Sequence, residues 1–205
     1  MFQYPNELGF SPDGRLLQNE YANKAASRGT LVIGVTGKNS VILLMKKQNS
    51  NPLMMSNESD FIQKISESIY GGFSGMSGDS RSFVNTLRTT AMQNEKNFGI
   101  EPELQQLVNQ SLGSIHQNNF MNPSRPLGCS FLLAGPKAKL IKGSTALGTA
   151  NLCFAGAIGD GAEIAEKYLE EHFEKDMEND SIQNLAIAAL HSVDQNAQYI
   201  IHVVT

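Results

Sequence analysis

Runs of apolar residues, and the spacing between them, divide this chain into separate elements. Residues 30–35 and 41–45 are apolar and rich in β-branched side chains, and Thr36-Gly37-Lys38-Asn39-Ser40 between them predicts a hairpin. Short strands at 62–65 and 69–73 are expected to complete this first sheet, after a polar, methionine-containing loop over 49–60. The period then changes. Phe83, Val84, Leu87 and Met92 form a helical stripe within 79–97, and Leu104, Leu107, Val108, Leu112 and Ile115 form a second within 103–118. Strands return at 127–134 and 139–142, with a weaker one at 152–155. Gly159-Asp160-Gly161 opens a helix running to about 174, another covers 181–191, and a last strand covers 199–203.

Ahead of the first strand, 16–27 are good helix formers, introduced by the turn-forming Ser11-Pro12-Asp13-Gly14 and closed by Gly29. The order of strands, two helices, strands, two helices and a strand is not the strict alternation of a parallel fold. It predicts an α+β protein in which two antiparallel sheets pack face to face with a helical layer outside each. That four-layer αββα sandwich is expected over 30–205 of a single domain, preceded by a leading helix at 15–28 and an N-terminal segment and turn at 1–14.

Composition narrows the function. A net charge of -4 supplies no basic field for phosphate backbones, so no nucleic acid partner is expected. Apolar runs such as 31–35 fall far short of the roughly 20 residues that span a bilayer. With no signal-peptide pattern at 1–9, the expectation is a cytoplasmic and nuclear protein with no membrane partner. Cys129 and Cys153 sit singly in apolar stretches and are read as reduced, buried thiols, and the four scattered histidines give no metal-ligand spacing. No metal or cofactor is implied.

The run Phe10-Ser11-Pro12-Asp13-Gly14-Arg15-Leu16, followed by Gln18, Glu20, Tyr21 and Ala22, resembles the signature of proteasome alpha-type subunits. Ser74-Gly75 with Asp79 and Arg81 resembles that family's Ser-Gly-x-x-x-Asp-x-Arg, Arg125-Pro126-Leu127-Gly128-Cys129-Ser130 its Arg-Pro-aromatic-Gly-Val-Ser strand, and Ala157-Ile158-Gly159 its Ala-Ile-Gly. These matches fall in the family's order from about Phe10 to Val193. The resemblance implies the N-terminal-nucleophile hydrolase sandwich, with the leading helix lying over the cleft that catalytic relatives use. It also implies an axial gate and ring contacts built from Tyr4, Phe10, Pro12, Asp13, Gly14, Arg15 and Tyr21, with other alpha subunits, beta subunits and regulatory-particle ATPases as partners. Ser74-Gly75-Met76 followed by Asp79-Ser80-Arg81 points toward the second of seven eukaryotic alpha types. Because only three residues precede Tyr4, the chain is expected to order a gate rather than plug it.

The same resemblance raises a catalytic alternative. Beta-type subunits are threonine peptidases released by cleavage between a Gly and a Thr, which would make Thr30 the nucleophile after Gly29 is removed. Such a nucleophile needs a free α-amine and a nearby Lys and Asp. Met45 stands where a beta subunit carries its Asp, so no catalytic residue is assigned and the chain is expected not to be an enzyme. Gly159-Asp160-Gly161 lacks the lysine and spacing of a phosphate loop and is read as a strand-to-helix turn.

Alpha rings take the C-terminal tails of activators in pockets where a lysine meets the terminal carboxylate. Ile62-Gln63-Lys64-Ile65 resembles the segment that bears this lysine, which makes Lys64 the candidate, with Gly29, Gly75 and Met76 as pocket lining. The other reading of Lys64 is a solvated surface side chain. Only ten positions separate Lys64 from Ser74, fewer than in familiar members of the family.

Overall fold

β1 (Val32–Thr36) and β2 (Val41–Lys46) form the expected hairpin, with Val32 opposite Met45 and Thr36 opposite Val41. Their side chains alternate between two apolar layers. Ile33, Val35, Ile42 and Leu44 face one, and Val32, Val41, Leu43 and Met45 face the other. A strand buried on both faces keeps no polar side, which is why these runs are continuously apolar. The computed structural model describes residues 10–47, 53, 62–121 and 125–205. The loop expected over 49–60 lies outside the described residues except for Leu53.

The leading helix, α1 (Leu17–Ala26), precedes the hairpin. After it come β3 (Ile62–Lys64), β4 (Tyr70–Gly75), α2 (Ser77–Phe98), α3 (Leu104–Met121), β5 (Cys129–Gly135) and β6 (Lys139–Ser144). The chain ends through β7 (Thr149–Cys153), β8 (Ala155–Ile158), α4 (Ala162–His172), α5 (Asn179–Val193) and β9 (Tyr199–Val204). One sheet has the order β8-β1-β2-β9 and the other β3-β4-β5-β6-β7, with every pairing antiparallel.

Three apolar clusters account for four layers. Leu43 and Met45 meet Leu132, Ala134 and Leu140 between the sheets. Phe83, Leu87, Leu107 and Val108 of α2 and α3 cover Phe131 and Leu133 of the second sheet. Leu169, Ile182, Ala186 and Leu190 of α4 and α5 cover Ile33 and Leu44 of the first. The chain is an α+β protein with the four-layer αββα sandwich expected from its element order.

Two expectations are corrected. β3 and β4 do not extend the first sheet: β9 occupies the outer edge of β2, and β4 pairs along its whole length with β5. β4 instead crosses over β1, so closely that a Cβ on Gly72 would lie 2.5 Å from Val32 Cγ1. The strand expected at 152–155 is in fact two. β7 closes the edge of one sheet and β8 the edge of the other, with Phe154 between them accepting bonds from Thr36 N–H at 2.7 Å and Thr36 Oγ1 at 2.8 Å. As a largely exposed edge strand, β7 lacks the apolar alternation that would mark it.

Candidate functional site

The segment before α1 is a tight turn closed by its own polar atoms. Ser11 N–H donates to the Arg15 carbonyl at 2.9 Å, Gly14 N–H to the Ser11 carbonyl at 2.8 Å, and Arg15 N–H to Ser11 Oγ at 3.0 Å. Gly14 takes φ 74, a left-handed conformation that other residues adopt with strain. Arg15 then reaches forward to Glu20, donating from Nε to Oε1 at 2.9 Å and from Nη2 to Oε2. Both groups are exposed, so the pair orients the turn on the helix and adds little stability. Pro12 and Asp13 are exposed on the turn. Phe10 and Tyr21 are 74% and 58% exposed, and Leu17 lies one turn before Tyr21 on the same helix face. Tyr4 lies outside the described residues.

The opposite face of α1 is pinned to the end of the second sheet. Asn19 Nδ2 donates to the Ala146 carbonyl at 2.6 Å, Ser144 Oγ to Asn23 Oδ1 at 3.2 Å, and Ser74 Oγ to the Ala26 carbonyl at 3.3 Å. Where the helix ends, backbone lies on backbone. A Cβ on Gly29 would fall 1.9 Å from Gly75 N, and one on Gly75, which takes φ 119, would fall 2.2 Å from the Gly128 carbonyl.

Asp79, in the first turn of α2, fixes this junction. It accepts the Gly128 N–H at 2.8 Å and both arms of Arg125, from Nη1 at 2.6 Å and Nη2 at 2.9 Å. The bonded guanidinium holds the Asp79 carboxyl below the usual carboxylate range, with the Gly128 N–H adding to the effect, against the opposing cost of burial. Asp79 and Arg125 thus tie the start of α2 to Gly128, which lies against α1, a partnership across 46 positions that the motifs marked without revealing.

Beside the junction opens a cleft of about 640 Å³ lined by Arg28, Gly29, Thr30, Met45 and Gly75, with Gln63 and Phe73 beneath and Ser77, Ser80, Arg81, Val84, Asn85 and Arg88 along α2. Here the structure brings together Gly29, Gly75, Thr30 and Met45. The Thr30 nitrogen is the peptide nitrogen following Gly29, so it offers no amine while α1 stays attached. Met45 is 7% exposed and supplies a thioether where a charge would be needed. Among the described residues the cleft is lined by three arginines and no carboxylate, while Arg28 also borders a second cavity with Asp160 and Asp194.

Lys64 adjoins this cleft, whose lining includes its neighbour Gln63 and the Arg88 that bonds its carbonyl. It pairs with Tyr70 in the β3–β4 register, five residues along the strand from Gly75, or about 17 Å. Its ammonium lies over the Tyr70 ring at 5.8 Å, and its carbonyl accepts from Arg88 Nε at 2.9 Å and Nη2 at 2.8 Å. Met76, half exposed, caps the start of α2 with its N–H on the Gly128 carbonyl at 3.0 Å. Arg28 and Arg88 were not among the residues that sequence patterns singled out. Each has unremarkable neighbours in the chain, and only folding sets them around one cavity.

The remaining chemistry-bearing residues have structural surroundings. Gly159-Asp160-Gly161 is a turn packed on the strand entrance: Asp160 N–H donates to the Gly29 carbonyl at 2.9 Å, and a Cβ on Gly159 would fall 2.3 Å from the Thr30 carbonyl. Burial pushes the Cys129 thiol up to about 12 and the Cys153 thiol up to about 11, which leaves both protonated and unreactive near neutrality. Among the described residues no cluster of metal-ligating side chains occurs, and no helix is long and apolar enough to cross a membrane.

Comparison with known proteins places this geometry. A family model described as Proteasome subunit matches residues 26–204. Proteasome subunit alpha 1 of Haloarcula marismortui is 32% identical over 193 residues, covering 91% of this chain and 73% of that protein. Proteasome subunit alpha of Methanoregula boonei is 32% identical over 189 residues, covering 91% and 78%. Proteasome subunit alpha type-7 of Trypanosoma brucei brucei is 30% identical over 185 residues, covering 88% and 74%.

Proposed function

The chain belongs to the proteasome subunit family, on its alpha side, and from that premise we propose that it is a non-catalytic ring subunit of the 20S core particle. In this reading it sits beside other alpha subunits and against beta subunits in a particle of the cytoplasm and nucleus. The observation that carries the proposal is that α1, ahead of Gly29 and Thr30, is bonded to the second sheet through Asn19, Asn23 and Ala26, while Met45 lines the cleft beside Thr30. A helix bonded to the sandwich at Asn19, Asn23 and Ala26 is read as a permanent element and not as a propeptide.

The turn and α1 are the gate and ring-contact elements of this proposal. Tyr4 belongs with Phe10, Pro12, Asp13, Gly14, Arg15 and Tyr21 by resemblance. The exposed apolar side chains of Phe10, Leu17 and Tyr21 supply a face for a neighbouring subunit. Between neighbouring subunits, Lys64, Gly29, Gly75 and Met76 contribute to pockets for the C-terminal tails of regulatory-particle ATPases.

Native mass spectrometry of the particle purified from its source, with N-terminal sequencing of this chain, tests the proposal. Full-length chain inside a complex of about 28 subunits is the expected result. A new N-terminus at Thr30 would show α1 to be a propeptide and the chain to be a threonine peptidase subunit.

A further inference from the structure

Phe154 stands where the chain leaves β7, at the edge of one sheet, for β8, at the edge of the other. The crossing uses only its backbone, whose carbonyl takes both bonds from Thr36. Any residue would supply that carbonyl, so the fold does not account for the ring, which is 57% exposed. The ring stacks on Phe173, with centroids 6.0 Å apart and planes 24° from parallel, and Phe173 is itself packed on the core beneath α4 and α5. A cation already lies on this platform: Lys175 Nζ is 5.0 Å from the Phe154 centroid.

The surroundings are acidic. Lys175 belongs to the connection between α4 and α5, where Glu174, Asp176, Glu178 and Asp180 are exposed and make no ion pair among the described residues. Nine acidic residues and two lysines fall from Asp160 to Asp180, in a chain whose net charge is only -4. Lys38, on the β1–β2 turn, is the other cation brought here, its N–H donating to the Met177 carbonyl at 3.1 Å. That bond, and the one from Ser40 Oγ to Asn179 Oδ1 at 2.5 Å, fix the connection against the hairpin.

We infer that the Phe154–Phe173 pair is a receptor for a cationic side chain, and that this surface docks a basic segment of a partner protein, one of whose arginines takes the place of Lys175. Charge selects the class of partner. The acids repel phosphate backbones and anionic lipid headgroups, and they draw in a basic peptide. A planar guanidinium lies flat on an aromatic face while its N–H edge meets carboxylates, whereas an ammonium offers no plane to stack. Lys175, on a long exposed side chain, is thus a weak occupant that a better cation displaces. The site is independent of the tail-docking reading, because Phe154 bonds to Thr36 at the far end of β1 from Thr30.

The test is fluorescence anisotropy on the particle containing the full chain, with a labelled synthetic Leu-Arg-Leu-Arg-Leu peptide, amidated so that it has no terminal carboxylate. The comparator carries citrulline, neutral and of the same size, at both arginine positions. The citrulline peptide is expected to bind about fivefold or more weakly. Phe154→Leu keeps an apolar side chain, loses the ring face, and is expected to weaken the arginine peptide by about fivefold. Lys175→Ala is expected to strengthen it by about threefold, and to change it by less than about 1.5-fold when Phe154→Leu is already present. An unchanged unfolding midpoint confirms that Phe154→Leu leaves the fold intact, and Lys175→Ala probes the site without touching the ring. Equal binding of the two peptides, or full binding by a folded Phe154→Leu chain, overturns the inference. An equal gain from Lys175→Ala with and without the ring also overturns it, reducing the surface to a diffuse acidic field. So does absence of binding to the unaltered particle.

Discussion

Arg125 grips Asp79 with both arms of its guanidinium, 46 residues away in sequence, and the same Asp79 carboxylate accepts the Gly128 N–H at 2.8 Å. One carboxylate therefore joins the start of α2 to the start of β5, beneath the end of α1. The Asp79 side chain is 10% exposed while that of Arg125 is 53% exposed, so the pair is a half-buried one. Asp79→Asn keeps an acceptor for Gly128 and gives Arg125 a neutral partner. The expected cost is about 2 kcal/mol, between the values for buried and exposed pairs, with a fall in Tm of roughly 4–8 °C. Thermal unfolding of the two proteins checks this, and an unchanged Tm would remove the pair from the list of what holds α1.

The same carboxylate sets an acid dependence. Arg125 lowers the Asp79 pKa in the folded chain relative to the unfolded one. A lowered folded pKa contributes stability above the unfolded value of about 3.9, and the contribution is lost as pH falls through the folded value. The stability difference between the native chain and Asp79→Asn is thus expected to be constant from pH 7 to about 5 and to shrink below about 4. Urea unfolding of both proteins across that range measures it. A difference that stays constant down to pH 3 would show that Asp79 is not the titrating group.

Gly29 is the position where α1 is most sensitive to a single methyl group. Alanine there places a Cβ 1.9 Å from Gly75 N and 2.5 Å from Ser74 Oγ, and only the serine side chain can rotate away. Gly29→Ala is expected to lift the end of α1 off β4, at a cost above about 2 kcal/mol. Faster hydrogen exchange at α1 amides, with β5 and β6 still protected, is the expected signature. Equal protection of α1 in the variant would mean that the junction absorbs a side chain.

Thr30 should be silent in catalysis. Its nitrogen is committed to the bond with Gly29, and the neighbouring Met45 carries no charge to tune it. Thr30→Ala is expected to leave peptide hydrolysis by the particle unchanged within about twofold, against the many-fold loss that follows removal of a nucleophile. A loss of that size traced to this subunit would return Thr30 to the active site.

Much of this arrangement is legible from residue patterns alone, because the inner strands are apolar on both faces and the helices keep a regular stripe. Phe83, Leu87, Leu107 and Val108 pack where the stripe places them. Sheet membership is not legible: 62–65 and 69–73 read as strands, yet nothing local states that β9 fills the edge beside β2. The switch at Phe154 is hidden too, since a strand lying on a sheet edge has no buried face to give it a period. At the site, Gly29 and Gly75 were marked by motif and do meet. Lys64 is marked by motif and pairs with Tyr70 in the β3–β4 register, its carbonyl bonded to the cleft-lining Arg88. Of the cleft's arginines only Arg81 falls in a motif, because the cleft is assembled from a helix exit and one face of α2.

The exposed face of α1 carries the last prediction. Leu17 and Tyr21, one helical turn apart, are 38% and 58% exposed, and Phe10 ahead of the helix is 74% exposed. Tyr21→Glu removes apolar area and adds a charge that a neighbouring subunit would have to desolvate, while the chain's own core is untouched. Folding stability is expected to change by no more than about 0.5 kcal/mol, as for other exposed positions. Association is expected to fall sharply, since a charge buried without a partner costs several kcal/mol. Size-exclusion chromatography and native mass spectrometry should therefore show a folded chain that no longer enters rings. Normal incorporation of the variant would mean that this face looks into the pore or to solvent, and ring contacts would then have to be sought on other surfaces of the sandwich.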